Sequence, residues 1–264
     1  HLSSAIACHA LGDYDARDCH IQKALVGKNS PELAVKLLSA RLFIDQGDFV
    51  AATDLLKQIK SIKPNNEAVL KMLYRSLREL CEWQELLDLI PSLKKRQIID
   101  DETAFDLEIN AHTALLTTAA NTGGVDILQR SWEHLPKNFR QTEPLALHYA
   151  KQLVKLGAMV DAEKVISNQL QKTWSPELLD FYVTIQPASS DRMFERAEKW
   201  LKERPVDPQL LRVAGQLAIR SQIWGRAKNY LEYSIKLAPE QQTYRDLGRL
   251  LEQQLDDPDG AMQC

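Results

Sequence analysis

The stretch ELAVKLLSARLFIDQGDFVAATDLLKQIKSIKPNN, residues 32–66, decides the fold of this chain. Two runs with apolar residues at helical spacing flank a short polar turn, Gln46-Gly47-Asp48-Phe49. Pro64 ends the second run, because proline lacks an amide donor and clashes with the preceding helical turn. The stretch therefore predicts two antiparallel helices joined by a tight turn.

The same kind of turn recurs at a regular interval. Gly12-Asp13-Tyr14 precedes Gly47-Asp48-Phe49 by 35 residues, and Cys81-Glu82-Trp83 follows 34 residues later. This period is that of a helical hairpin of tetratricopeptide type. Small residues also recur where the two helices of one hairpin must approach closely. These pairs are Ala40 with Ala52, Ala150 with Ala162, and Gly215 with Ala227.

The repeat predicts an all-α protein, a right-handed superhelical solenoid of about seven or eight hairpins. We expect an N-terminal lobe of about three hairpins in residues 1–99. We expect a C-terminal lobe of about four to five hairpins in residues 100–264, with the last one truncated. In this lobe, residues 100–136 predict a long first helix, a loose turn at 121–124 and a second helix. Residues 176–204 predict a short pair with Pro187 near its turn, and a last second helix begins near Pro258.

Composition excludes several classes of protein. The 264 residues are 44% apolar and carry a net charge of −3, which is typical of a folded chain without a global basic field for nucleic acid. No apolar run approaches the roughly 20 residues of a membrane-spanning helix. The cysteines are far apart and form no CxxC pair, so neither a zinc ribbon nor a disulfide scaffold is predicted. They are Cys8, Cys19, Cys81 and Cys264.

The sequence contains little that indicates chemistry. Cys8-His9 and Cys19-His20 lack the short, convergent spacing of a metal or haem site. No GxSxG, Walker or GxGxxG pattern is present, so we predict no catalytic residues, no metal, no cofactor and no enzymatic activity. His112 and His148 lie on first helices, where they either face a ligand or are ordinary groove groups. The five tryptophans are predicted to pack between repeats.

A basic stripe is the strongest candidate for a binding site. In repeats of this type, first helices line the inner wall, and their exposed face follows helical spacing back from each turn. Reading that face gives mostly Lys and Arg, although the chain is net acidic. The candidate groove residues are Arg41, Lys71, Arg75, Arg78, Lys151, Lys155, Arg212 and Arg220.

Two interpretations of the stripe stay open. Lys and Arg are common on solvated helix faces, so the stripe can be an ordinary surface. Alternatively it receives an anionic partner, either an acidic peptide segment or a carboxylated small molecule such as a porphyrin, because arginine binds a carboxylate at two points. Lys71, Arg75 and Arg78 share one face within two helical turns and are the first candidates.

One stretch carries a resemblance to a known family. Residues 82–93, EWQELLDLIPSL, resemble the tryptophan-then-leucine-rich stretch ending in Ile-Pro-Ser of the tetratricopeptide region of the HemY family. Members of that family are proteobacterial inner-membrane proteins associated with protoheme synthesis. The long helix that follows, the helix with Trp132 and the segment from Tyr244 to Ala261 keep the family's order, so the resemblance covers essentially the whole chain.

The resemblance implies an inner-membrane location, with the repeats on the cytoplasmic side and two membrane-spanning helices ahead of His1. It also implies a role late in heme synthesis, as a scaffold that binds pathway enzymes or their intermediates. A direct carrier of porphyrin or heme and a general adaptor for acidic peptides are the alternatives. Oxidation of a porphyrinogen is a fourth hypothesis, disfavoured because the sequence has no flavin or metal pattern.

Overall fold

The computed structural model describes residues 1–26, 32–186 and 191–254. These residues form fifteen helices and no strand. The helices are α1 (Leu2–Ala10), α2 (Tyr14–Val26), α3 (Glu32–Gln46), α4 (Phe49–Ile62), α5 (Glu67–Glu79), α6 (Trp83–Lys95), α7 (Asp101–His134), α8 (Lys137–Arg140), α9 (Glu143–Lys155), α10 (Met159–Lys172), α11 (Pro176–Thr184), α12 (Asp191–Glu203), α13 (Pro208–Arg220), α14 (Trp224–Leu237) and α15 (Gln241–Gln254).

The hairpin turns share one backbone conformation. At five of the turns a single described residue has a positive φ, which ends the first helix in the left-handed region. In the turn between α3 and α4, the Gly47 N–H donates to the Ile44 carbonyl at 3.1 Å and the Asp48 N–H donates to the Phe43 carbonyl at 2.8 Å. The positive-φ turn residues are Gly12, Gly47, Cys81, Gly157 and Gln222. The turns predicted at Gly12, Gly47 and Cys81 are therefore confirmed.

The residue after the turn glycine starts the next helix. Asp48 Oδ1 accepts the Ala51 amide at 3.0 Å, and Asp13 Oδ1 accepts the Ala16 amide at the same distance. A carboxylate at this position satisfies an amide that has no partner within the helix. The Gly-Asp pair thus stops one helix and starts another within two residues.

The small residues lie where the paired helices cross. Ala40, Ala52, Ala150 and Ala162 are fully buried. A Cβ placed on Gly215 of α13 would lie 2.7 Å from Leu231 Cγ of α14, so this crossing leaves no room for a methyl group. The close approach predicted for Gly215 and Ala227 is confirmed, since that Cβ would also lie 3.5 Å from the Ala227 carbonyl oxygen.

The chain divides into two compact units, His1–Leu115 and Leu116–Cys264. The first unit contains the hairpins α1/α2, α3/α4 and α5/α6 and the start of α7. Its main core comes from α3 to α7 and is almost entirely aliphatic, with Leu56, Leu70, Leu86 and Leu93 fully buried. The expected lobe boundary at residues 99 and 100 remains a prediction.

The second unit contains the rest of α7, the short helix α8, the hairpins α9/α10, α11/α12 and α13/α14, and α15. Helix α7 is broken at Gly124, where φ is 65°, inside the turn predicted at 121–124. Helices α11 and α12 meet through Tyr182 and Trp200, whose rings are 5.1 Å apart. The predicted Pro187 turn and the helix after Pro258 lie outside the described residues.

In both units consecutive hairpins pack along the chain, which makes this an all-α solenoid of tetratricopeptide-type hairpins. The right-handed superhelix expected for the whole chain stays a prediction. None of the described helices combines the length and the hydrophobicity that crossing a membrane requires.

Candidate partner-binding surface

First helices lie side by side within each unit. In the first unit α1 packs against α3 and α3 against α5; in the second unit α9 packs against α11, α11 against α13 and α13 against α15. Second helices are joined instead by long polar side chains. Lys57 of α4 pairs with Glu85 of α6 at 2.6 Å, and Arg226 of α14 pairs with Glu198 of α12 at 2.5 Å. The face of the first helices is therefore the more closely packed wall.

In the first unit, the predicted cations lie on this wall and are exposed. Lys71, Arg75 and Arg78 follow one another at helical spacing on α5, and Arg41 lies on the neighbouring first helix α3. We call Lys71, Arg75 and Arg78 the basic row. Arg75 and Arg41 have no ion pair among the described residues. Both side chains are free to reach a partner.

The other two members of the basic row have weak partners. Lys71 Nζ lies 2.5 Å from Glu67 Oε1, with both side chains more than half exposed. Arg78 Nη2 lies 3.7 Å from Glu79 Oε1, and its guanidinium lies 5.7 Å from the centre of the Tyr74 ring. The hydrogen bond and the charge of Lys71 lower the pKa of Glu67. Exposed pairs of this kind contribute little stability, so a ligand can replace them.

In the second unit, Lys151 and Lys155 are exposed on α9. The Lys151 ammonium lies 5.9 Å from the centre of the Phe181 ring on α11. His148 lies on the same helix, where its Nε2 is 2.9 Å from Thr117 Oγ1 and 3.2 Å from Gln152 Nε2. Burial, and then the charges of Lys155 and Lys151, lower the pKa of His148. His148 is thus a neutral, hydrogen-bonded group between helices.

The last two predicted groove residues have partners inside the stack. Arg212 is buried on α13, with Nη2 2.5 Å from Asp180 Oδ1 of α11 and Nε 3.8 Å from Glu240 Oε2. Arg220 donates from Nη1 to the Ile185 carbonyl at 2.8 Å, and burial lowers its pKa. Both arginines join neighbouring repeats. Their role in binding a partner remains a prediction that nothing in this geometry favours.

These cross-repeat partners were not predicted from the sequence. Gln216, next to the stripe, donates to Asp246 Oδ2 of α15 at 2.5 Å, which is another contact between successive first helices. Asp180 lies 32 residues from Arg212, and Asp246 lies 30 residues from Gln216. A search for opposite charges about one repeat apart would have found Asp180.

Packing between repeats was predicted for all five tryptophans, and three of them make ring contacts between helical segments. Trp132 stacks parallel to Tyr149 at 4.3 Å, and Trp174 meets Trp200 edge to face at 5.8 Å. Trp174 Nε1 also donates to Asp207 Oδ2 at 2.9 Å. These rings hold α7 to α9, and the segment between α10 and α11 to α12.

No group of three or more His, Cys, Asp or Glu side chains within the described residues could hold a metal ion. Cys8 is half-buried, whereas Cys19 and Cys81 are exposed; Cys264 lies outside the described residues. His112 is buried, and desolvation lowers its pKa. The two histidines considered as ligand groups therefore lie within packed helices.

The repeated helical hairpins define a tetratricopeptide-type protein. The chain is similar to Protein HemY of Escherichia coli strain K12, with 23% identity over 255 residues that cover 96% of this chain and 63% of the relative. Protein HemY of Shigella flexneri matches to the same extent. The chain thus spans 63% of the length of these curated relatives. No family model matches the chain.

Solved structures of low similarity include two tetratricopeptide proteins. The P58(IPK) TPR domain is 16% identical, with a TM-score of 0.37 over 95% of this chain and 64% of that one. A tetratricopeptide repeat protein from Parabacteroides merdae is 12% identical, with a TM-score of 0.36 over 95% of this chain and 97% of that one. The fold assignment rests on the hairpins described above and not on these scores.

Proposed function

We propose that this chain is a scaffold that binds an anionic partner through the basic row on α5, Lys71, Arg75 and Arg78. One observation carries the proposal. Three cations lie at one-face spacing on a first helix, all of them exposed, and α3 packs alongside that helix with Arg41 also exposed. The proposed role is binding and not catalysis.

Arginine and lysine suit different parts of such a partner. The planar guanidinium groups of Arg75 and Arg78 can each bind a carboxylate at two points, whereas the Lys71 ammonium acts as a point charge. A hydrogen bond between charged groups contributes about 1.5 to 3 kcal/mol when it is partly shielded from water. Three such contacts on one helix face would hold an acidic segment in a fixed register.

The process in which this binding occurs is proposed from the resemblance to the HemY family. That resemblance supports a place at the bacterial inner membrane and a late stage of heme synthesis. Enzymes of that stage are the proposed protein partners, and their anionic tetrapyrrole intermediates are the proposed small-molecule partners. The scaffold would keep such components close to one another at the membrane.

The test is crosslinking and affinity purification of the full-length protein from its source cells. The variant is Lys71→Glu, Arg75→Glu, Arg78→Glu. The matched control reverses three other exposed lysines of the same unit, which lie on or directly after second helices and have no ion pair among the described residues. They are Lys23, Lys63 and Lys95. Both variants must keep the helical circular dichroism of the unchanged protein.

We expect heme-synthesis enzymes to be enriched with the unchanged protein and with the control, and to be lost with the basic-row variant. Equal recovery with the basic-row variant would remove this surface as the site. If no heme-synthesis enzyme is recovered, the scaffold role in that process is wrong. Saturable binding of a porphyrin in that case would favour the carrier hypothesis.

A further inference from the structure

A second charged site lies in the second unit, away from the first-helix wall. The end of α7, the short helix α8, the start of α9 and the end of α10 enclose a cavity of about 250 Å³. Three of its lining side chains are cations, Lys137, Arg140 and Lys172, and no carboxylate is among the rest. We call this space the α8 cavity. Its lining is therefore electropositive in a chain that is net acidic.

The three cations are uncompensated. Three other arginines of this unit do form ion pairs, among them Arg196 with Glu163 at 2.7 Å and Arg226 with Glu198 at 2.5 Å. No Asp or Glu within the described residues forms an ion pair with the cations of the α8 cavity. Mutual repulsion of like charges around one small space is unfavourable unless an anion joins them.

Arg140 provides a second observation. Its side chain is half-buried, and its Nε is fully buried with no hydrogen-bond acceptor. Buried donors in folded proteins are nearly always paired, and a charged donor without a partner is especially unfavourable. Arg140 also lines the α8 cavity, where the other nitrogens of its guanidinium can donate to a bound anion.

The remaining lining is rigid and partly polar. The Trp132 ring forms one wall and is held parallel to Tyr149 at 4.3 Å. Gln169 Nε2 donates to the Gln141 carbonyl at 3.0 Å, which fixes α10 to the chain just before α9. The exposed amide of Asn168 adds a further hydrogen-bonding group at the rim. A ligand would thus meet a preformed site.

We propose that the α8 cavity binds a small free molecule that carries two or three anionic groups, either carboxylates or phosphates. The size supports a compact ligand, because drug-sized molecules occupy pockets of about 300 to 1,000 Å³ and this cavity is near 250 Å³. The number of cations sets the expected number of anionic groups. This site is independent of the basic row, which lies in the other unit.

Isothermal titration calorimetry of the 264-residue chain tests the proposal. Citrate is the carboxylate probe and pyrophosphate is the phosphate probe, each titrated separately in metal-free buffer of low ionic strength. We expect saturable binding of one molecule per chain for at least one probe. The probe that binds more tightly identifies the chemistry of the natural anion. In a ¹⁵N-labelled sample, the same probe should shift the Trp132 indole N–H signal, assigned with Trp132→Phe.

Two variants and one control locate the binding. Arg140→Gln and Lys172→Gln should each weaken binding about tenfold or more, because each removes a charge-assisted contact. Lys236→Gln makes the same change of net charge on the exposed part of α14 and should leave the affinity within about twofold. Lys172 is exposed in the last turn of α10, so its replacement should not unfold the chain.

Saturable binding that both cavity variants weaken, and that Lys236→Gln spares, supports the proposal. It is overturned if neither probe saturates, or if Arg140→Gln and Lys172→Gln bind as tightly as the unchanged chain. It is also overturned if Lys236→Gln weakens binding as much as they do, since the probes would then respond only to net charge.

Discussion

Arg212 of α13 and Asp180 of α11 form an ion pair of 2.5 Å between residues that stand 32 positions apart, one repeat from each other. The Arg212 side chain is 10% exposed and that of Asp180 is 55% exposed. The pair thus has one buried and one solvated member. Removing either member has a different consequence.

Asp180→Ala should lower the free energy of unfolding by about 1 to 3 kcal/mol, because it leaves the buried guanidinium with the more distant Glu240 alone. The measurement is the urea midpoint followed by circular dichroism. Glu232→Ala removes the partner of Lys228 in an exposed pair. This substitution should change the free energy of unfolding by less than about 0.5 kcal/mol. Equal effects from the two substitutions would show that burial of Arg212 does not matter.

Substitutions at two turn residues should change the stability of the chain in opposite directions. Cys81 and Gln222 have φ values of 56° and 58°, which are unfavourable for residues with a Cβ. Cys81→Gly should therefore stabilise the chain by up to about 1 kcal/mol. Gly47→Ala should destabilise it by about 1 kcal/mol through backbone strain alone, since no atom would clash with the new methyl group.

Thermal denaturation of the two turn variants and of the unchanged chain checks this pair of predictions. Val50→Ala, at an exposed site one residue into α4, serves as a control with a small expected effect. A lower melting temperature for Cys81→Gly would contradict the turn argument.

The crossing of α13 and α14 can be tested by a double-mutant cycle. Gly215→Ala should lower the free energy of unfolding by about 1 to 3 kcal/mol, because the new methyl group would lie 2.7 Å from Cγ of the fully buried Leu231. In a Leu231→Ala background the same change should cost less than about 0.5 kcal/mol. A cost for Gly215→Ala that is the same in both backgrounds would place the strain elsewhere.

Stability should fall as the pH drops below neutrality. Burial keeps the pKa of His148 below its ordinary value of 6.5 in the folded chain. As the pH falls through 6.5, the unfolded chain therefore binds more protons than the folded chain. The stability that neutral His148 contributes is lost as the pH falls from 6.5 to the lower pKa of the folded chain. Protonation would also place a donor at Nε2, where Gln152 Nε2 already donates.

Urea midpoints measured from pH 7.5 to pH 5.5 test this dependence. His148→Gln should give a shallower fall over the same range, because glutamine does not titrate. His134→Gln, at an exposed histidine of the same unit, is the control for the substitution itself. An unchanged slope for His148→Gln would assign the pH dependence to other groups.

Much of the fold could be predicted because it depends on local sequence. The Gly-Asp turns, the alanine pairs at helix crossings and the break at 121–124 follow from backbone conformation and side-chain size, which act within one hairpin. Cys81 takes the turn position without being glycine, and the repeat period placed it there.

The candidate surfaces were harder to predict, because they depend on contacts between repeats. Arg212 and Arg220 have the same spacing as the exposed cations, but Arg212 pairs with Asp180 of α11 and Arg220 donates to the Ile185 carbonyl just after α11. The α8 cavity was missed because residues 137–140 interrupt the repeat and belong to neither helix of a hairpin. Which charges converge there is set by the packing of four helices and not by any single period.

The polar contacts between helices, such as those of Arg212 and Gln216, join residues about 30 positions apart, and consecutive elements account for most of the packing. A stack of this kind has low contact order, so each unit should fold rapidly, and its cooperativity passes from one neighbour to the next. A substitution that destabilises α15 should first affect α13 and α14, which contact it. Other elements should be affected only through these two helices. Whole repeats can therefore be gained or lost from such a chain over evolution without redesign of the hairpins that remain.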